Sequence, residues 1–102
     1  MKYLVKISET AYFQIHDSMS FLARVNKIAA KKDLNEIIES IKTLEEFPER
    51  NPVVPNLEII GRKVYKFPIL NGRYIILYSI VENKVFVNKF LDSRKDNKIF
   101  DD

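Results

Sequence analysis

Between Gly72 and Asp96 the chain reads GRYIILYSIVENKVFVNKFLDSRKD, and this stretch limits the fold more than any other. Along Arg73–Val81, Ile75, Leu77 and Val81 fall on one face of a strand, and Tyr74, Ile76, Tyr78 and Ile80 on the other. A strand that is apolar on both faces has to lie inside a sheet and be covered on both sides. Glu82-Asn83 leaves room only for a tight turn before a further strand, Val85–Leu91. On the other side, Asn71-Gly72 is a strong hairpin signal, since both residues tolerate positive φ. It joins the central strand to a preceding one, Arg62–Leu70, where Pro68 implies an edge position or a bulge. Strands joined by turns this short run antiparallel.

The upstream half supplies the cover. Lys2–Ile7 alternates and is too short for a helix, so it reads as a first strand. Ser8 is placed to cap a helix, with Glu9 in its first turn. The spacing predicts a helix from there to about Ala30, with Ala11, Tyr12, Ile15, Met19, Leu22 and Ala29 on its apolar side and His16, Asp17, Ser20, Arg24 and Lys27 opposite. Phe13, Phe21 and Ile28 lie off that stripe; they either pack against a second helix or await a partner. Lys31–Asp33 interrupts the pattern, and Asp33-Leu-Asn-Glu36 has the spacing of a capping box. Leu34, Ile37, Ile38, Ile41 and Leu44 then define a second helix, ended by Pro48. Pro48–Gly61, with Pro52 and Pro55, reads as an extended connector with room for a short strand at its end. The expected fold is therefore α+β, in the order β-α-α-β-β-β, with a helical hairpin packed on a mainly antiparallel four-stranded sheet.

A chain of 102 residues makes one domain. No apolar run approaches the ~18 residues a membrane span needs. The start, MKYLVKISET, has no long apolar core of a signal peptide, so a cytoplasmic location is the default expectation. Without cysteine, disulfide and thiolate chemistry are excluded. No spacing of His and carboxylates suits a metal, and no cofactor is expected. His16, the only histidine, falls on the polar arc of the first helix. The net charge of +3 is unevenly placed: positions 61–98 hold nine Lys/Arg against three acids, whereas 33–50 hold six acids against two bases. A basic second half suits nucleic acid or an acidic protein, and it equally suits a solvated sheet face.

This order of elements, with Leu44-x-x-x-Pro48 closing the helical hairpin, Arg73-Tyr74-x-x-x-Tyr78 on the central strand and Asp92–Asp96 after the last, resembles the RelE/ParE superfamily of type II toxins. The resemblance covers nearly the whole chain. It implies a growth-inhibiting toxin neutralised by a cognate antitoxin. It leaves two targets open: mRNA cleaved on the ribosome, which would make the chain an endoribonuclease, or DNA gyrase inhibited by binding. A non-catalytic interaction module, or an inactive toxin relic on the same scaffold, stands as the alternative.

For the nuclease branch, the resemblance implies phosphate-binding and catalytic roles for Arg73, Arg94 and Lys66, with Arg62, Lys63 and Lys95 binding RNA or another target. By the period of two, Arg62 and Lys66 share a strand face and Lys63 points the other way. Guanidinium groups suit phosphate through their forked donors. That branch commonly places a tyrosine near its C-terminus as an acid or base; the corresponding residue here is Phe100, without a hydroxyl, which favours the gyrase branch slightly. Phe13, Phe21 and Ile28 are the candidates for antitoxin binding.

Overall fold

The computed structural model describes residues 2–95. Five strands form one sheet: β1 (Leu4–Ile7), β2 (Val53–Ile59), β3 (Arg62–Ile69), β4 (Tyr74–Val81) and β5 (Lys84–Asp92). Their order across the sheet is β1-β5-β4-β3-β2. β1 runs parallel to β5, and every other neighbouring pair is antiparallel. Two helices, α1 (Glu9–Val25) and α2 (Lys27–Lys42), separate β1 from β2 and cover one face. The expected α+β class with a helical pair on a mainly antiparallel sheet stands; the sheet has five strands where four were expected. The additional strand, β2, occupies the proline-containing connector. Its ladder with β3 is bulged between Val53 and Glu58, so Pro55 costs no regular pairing.

β4 is central and its first six residues are all buried. On the helix side Tyr74, Ile76 and Tyr78 join Ile15, Met19, Ile37, Ile41, Leu44, Val85, Val87 and Phe90 in the main core. On the opposite side Ile75 and Leu77 join Val64 in a smaller core, closed by Val54, Leu57 and Ile59 of β2 and by Leu91. The two-sided pattern of this strand is thus satisfied by helices on one face and by its neighbouring strands on the other. Pro68 lies in β3, between β2 and β4, but the described β2 ladder reaches only Tyr65, so the proline is locally at an edge.

Ser8 caps α1, accepting from the Ala11 amide at 3.0 Å while its hydroxyl donates to the Asn88 carbonyl at 3.0 Å. Asn88 is the extra residue of a bulge in β5, opposite the step from Leu77 to Tyr78. Beyond that bulge the Phe90 amide donates to Gln14 Oε1 at 2.8 Å, so α1 satisfies backbone groups that the disturbed ladder leaves over.

The break between the helices falls at Asn26, not at Lys31–Asp33. The Asn26 amide donates to the Leu22 carbonyl, ending α1, and its side chain accepts from the Ala29 amide at 3.0 Å, starting α2. Asparagine is among the strongest N-caps, and this one turns the chain within a single residue. Asp33 is therefore no cap. It lies in the interior of α2 and is buried. Tyr12, which the spacing puts on the apolar stripe of α1, lies at the margin of that stripe and is 67% exposed.

Candidate functional site

Three segments bring Arg73 and Arg94 to one corner of the sheet. Leu70, Asn71 and Gly72 all take positive φ, closing the β3–β4 turn and delivering Arg73 to the start of β4. The Ser93 amide donates to the Arg73 carbonyl at 2.9 Å, and the Ser93 hydroxyl donates to the carbonyls of Arg73 and Gly72. The end of β5 is thereby pinned to that turn. Asp92 is the register partner of Tyr74, and Arg94 follows just beyond.

Both arginines are held by carboxylates. Arg73 Nη2 donates to Asp33 Oδ1 at 3.2 Å, across from α2, and its Nε donates to the Leu70 carbonyl at 3.4 Å. Asp33 is 8% exposed and its Oδ2 has no hydrogen-bond partner among the described residues. Arg94 makes a forked pair with Asp92, Nε to Oδ1 at 3.0 Å and Nη2 to Oδ2 at 2.9 Å, and its amide donates to Oδ1 as well. The two guanidinium carbons lie 5.8 and 5.7 Å from the centre of the Tyr74 ring. Tyr74 in turn stacks on Phe90 at 4.9 Å. With Phe90 stacked on one side of the buried ring, the two cations share what is left of its surface, and each gains a cation–π attraction.

The Arg94 side chain, bonded to Asp92, holds that carboxyl below the usual carboxylate range. A carboxylate so stabilised is a poor proton acceptor. Tyr78 is no better as an acid or base. Its hydroxyl donates to the Pro48 carbonyl at 2.5 Å and accepts from Asn51 at 3.0 Å, and burial pushes its ionisation upward. It ties the chain after α2 to the core. What the corner offers is two partly exposed guanidinium groups, 42% and 59% for Arg73 and Arg94, in a fixed relation to each other. That arrangement suits binding of a carboxylate or phosphate.

The other candidates lie elsewhere. Lys66 is the register partner of Leu77, four residues along β4 from Arg73 and about 13 Å away at the usual rise per residue. It stands on the face without helices, whereas Arg73 turns to the helix side. Arg62 is at the opposite end of β3, its guanidinium 5.5 Å from the Phe86 ring. Lys63 is the register partner of Glu58 on the edge strand β2 and faces away from Arg62 and Lys66, as expected. Lys95 lines a small cleft of about 210 Å³ with Gln14, Asp17, Ser18, Phe90, Leu91 and Asp92, beside the Arg94 pair. Phe100 lies outside the described residues. Phe13, Phe21 and Ile28 are 69%, 65% and 83% exposed; Phe21 and Ile28 flank the Asn26 corner together with exposed Val25. Among the described residues no group of His, Cys, Asp or Glu could hold a metal ion, and no helix is long and apolar enough to cross a membrane.

Asp33 is the member of the site that the sequence did not expose; Tyr74 stood out only as part of the Arg73-Tyr74-x-x-x-Tyr78 strand. The signal for Asp33 is present once the helix break is put at Asn26. It then falls in line with Ala30, Ile37 and Ile41, a carboxylate on an apolar stripe, which calls for a buried cation partner.

The fold and this arginine corner define a small α+β domain, a helical pair on one face of a mainly antiparallel five-stranded sheet. A solved structure described as the chromosomal ParDE TA system from P. aeruginosa matches it with a TM-score of 0.73, over 89% of this chain and 96% of that one, at 13% identity. No curated protein matches the sequence. The family model for the ParE toxin of the type II toxin-antitoxin system parDE matches residues 5–97. The chain belongs to that family, and is a type II toxin-antitoxin toxin.

Proposed function

We propose that this toxin arrests growth by binding DNA gyrase, without chemistry of its own, and that a cognate antitoxin neutralises it by covering the exposed apolar side chains of α1 and α2. The observation that carries the target is the state of the arginine corner. Arg73 and Arg94 are engaged by Asp33 and Asp92, Asp92 is a weakened base, and Lys66 stands on the other face of the sheet. Ribonuclease action needs a base and an acid aligned on one phosphate. A binding inhibitor needs only a shaped and charged surface. The toxin-antitoxin description of the ParE family supports an antitoxin partner, and placement in the ParE branch favours gyrase over the ribosome as the target.

The test is a gyrase supercoiling reaction titrated with purified toxin. Supercoiling is expected to stop at modest excess; supercoiling that continues at large excess removes gyrase as the target. A parallel cell-free translation reaction separates the nuclease branch. Cleavage of mRNA there, abolished by Arg94→Ala, would return a catalytic role to Arg73, Arg94 and Lys66.

A further inference from the structure

The face of the sheet that carries no helix is lined by cations and has no acid on its strands. Lys66, Leu77 and Lys89 are register partners on β3, β4 and β5, so two lysines flank one buried leucine. With strands about 4.8 Å apart, their Cα atoms lie roughly 10 Å from each other. Lys6 of β1 is the partner of Phe86, and Lys84 of β5 is the partner of both Leu4 and Val81, all on this same face. Arg62 joins them through its contact with the Phe86 ring. The acids of the strands fall on the other side: Glu58 is opposite Lys63, and Asp92 opposite Tyr74. Lys6, Arg62 and Lys84 are exposed and Lys66 and Lys89 partly so. The floor between them includes Val64 and Leu77 of the smaller apolar core, both fully buried. Such a floor suits lysine, whose stem lies on apolar surface while the ammonium stays in water.

The chemistry of this face selects its ligand. Proteins that hold single-stranded nucleic acid stack the bases on aromatic side chains. Here Tyr65, Phe67, Tyr74, Tyr78 and Phe90 all belong to the helix-side core, and Phe86, on the open face, already has Arg62 against its ring. What remains is a set of cations over a span of four strands, fit for phosphates presented at the surface of a duplex. We propose that the helix-free face binds the phosphate backbone of duplex DNA without reading its sequence. The choice of DNA rests on the gyrase reading above, since gyrase works on a DNA duplex; the charges themselves do not. On that reading the toxin touches protein and DNA together.

The experiment needs no gyrase. Fluorescence anisotropy of a short labelled DNA duplex is followed as the purified full chain is added, at several salt concentrations. Saturable binding is expected, with a log–log salt slope no steeper than about −4.5, the value for five neutralised phosphates at −0.9 each. The double variant Lys84→Glu, Lys89→Glu should lose at least about tenfold in affinity. Lys31→Glu, Lys32→Glu makes the same change in net charge on α2 and should lose far less. Lys84→Gln, Lys89→Gln, with a smaller expected loss, serves if the reversed charges impair folding. No binding to duplex at low salt, equal losses in the face and control variants, or tighter binding of a single strand of equal length would each overturn the proposal. Because the readouts are separate, intact supercoiling with duplex binding present sinks the gyrase target alone, and blocked supercoiling without duplex binding sinks this face alone.

Discussion

Tyr74 packs against two guanidinium groups that are each paired with a carboxylate, and the arrangement explains why neither arginine is simply a surface charge. Arg73 reaches inward to a nearly buried Asp33, so removing Arg73 leaves that carboxylate without its charge complement in a poorly hydrated place. Arg94 is more exposed and holds Asp92 by a fork. The Asp92 carboxyl is lowered below its unfolded value chiefly by the Arg94 side chain. A lowered acid contributes stability that is present above its unfolded pKa, ~3.9, and is lost as the pH falls through its folded value. Asp92→Asn is therefore expected to reduce stability at pH 7, and to flatten the acid limb of the stability curve below about pH 4. Urea midpoints measured from pH 7 down to pH 2 check this; parallel curves for the two proteins would show that the pair is not coupled to folding. Arg73 and Arg94 were legible in the sequence as cations placed at the two ends of a hairpin. Asp33 was not, because a carboxylate six residues into a helix looks like a cap whenever the helix is started too late.

The elements themselves were legible where local chemistry decides them and obscured where one residue serves two of them. β3, β4 and β5 follow from their apolar alternation and from turn residues with an evident preference. The α1–α2 junction was missed because Asn26 is at once the end of one helix and the cap of the next, with no glycine or proline to mark the stop. β2 reads as a connector because Pro48 and Pro52 precede it and Pro55 lies within it, masking a strand whose ladder is bulged. Its turn into β3 contains a residue the local backbone does not favour. Ile60 has φ of 54° and is 85% exposed, followed by Gly61 at 70°. Two successive positive φ values suit Asn-Gly, whereas a β-branched residue is strained there. Ile60 buries little that its removal would forfeit. Ile60→Asn should stabilise the protein by about 1 kcal/mol, or roughly 4–8 °C in Tm for a domain of this size. Thermal melts of the two proteins at equal concentration check it; an unchanged or lower Tm would mean that Ile60 is held by contacts outside the turn.

On the scale of the whole molecule, the sheet divides two kinds of surface. The helix-free face is cationic, and the outward sides of α1 and α2 expose large apolar groups. Tyr12, Phe13, Phe21, Val25 and Ile28 are all more than 60% exposed, within two consecutive helices. Single exposed hydrophobes are ordinary, but a group of this size on one helical pair marks a surface meant to be covered. Sequence spacing could set Phe13, Phe21 and Ile28 apart from the apolar stripe. It could not decide between a second helix and a partner as their cover, because that depends on the angle at which the helices leave Asn26. In the folded chain α2 does not cover them, so the antitoxin is the expected cover. Each such side chain buried at an interface is worth about 1.5–3 kcal/mol. Replacing Phe21 and Ile28 together by serine should then weaken the toxin–antitoxin complex by about two orders of magnitude or more, at 1.4 kcal/mol per tenfold. Stability of the free toxin should change by no more than about 0.5 kcal/mol, as for other exposed substitutions. Calorimetric titration of purified toxin with its cognate antitoxin measures the first and urea unfolding the second. Unchanged affinity in a fully folded variant would move the antitoxin off the helical corner. Gyrase inhibition retained by the same variant would show that target and antitoxin engage separate surfaces.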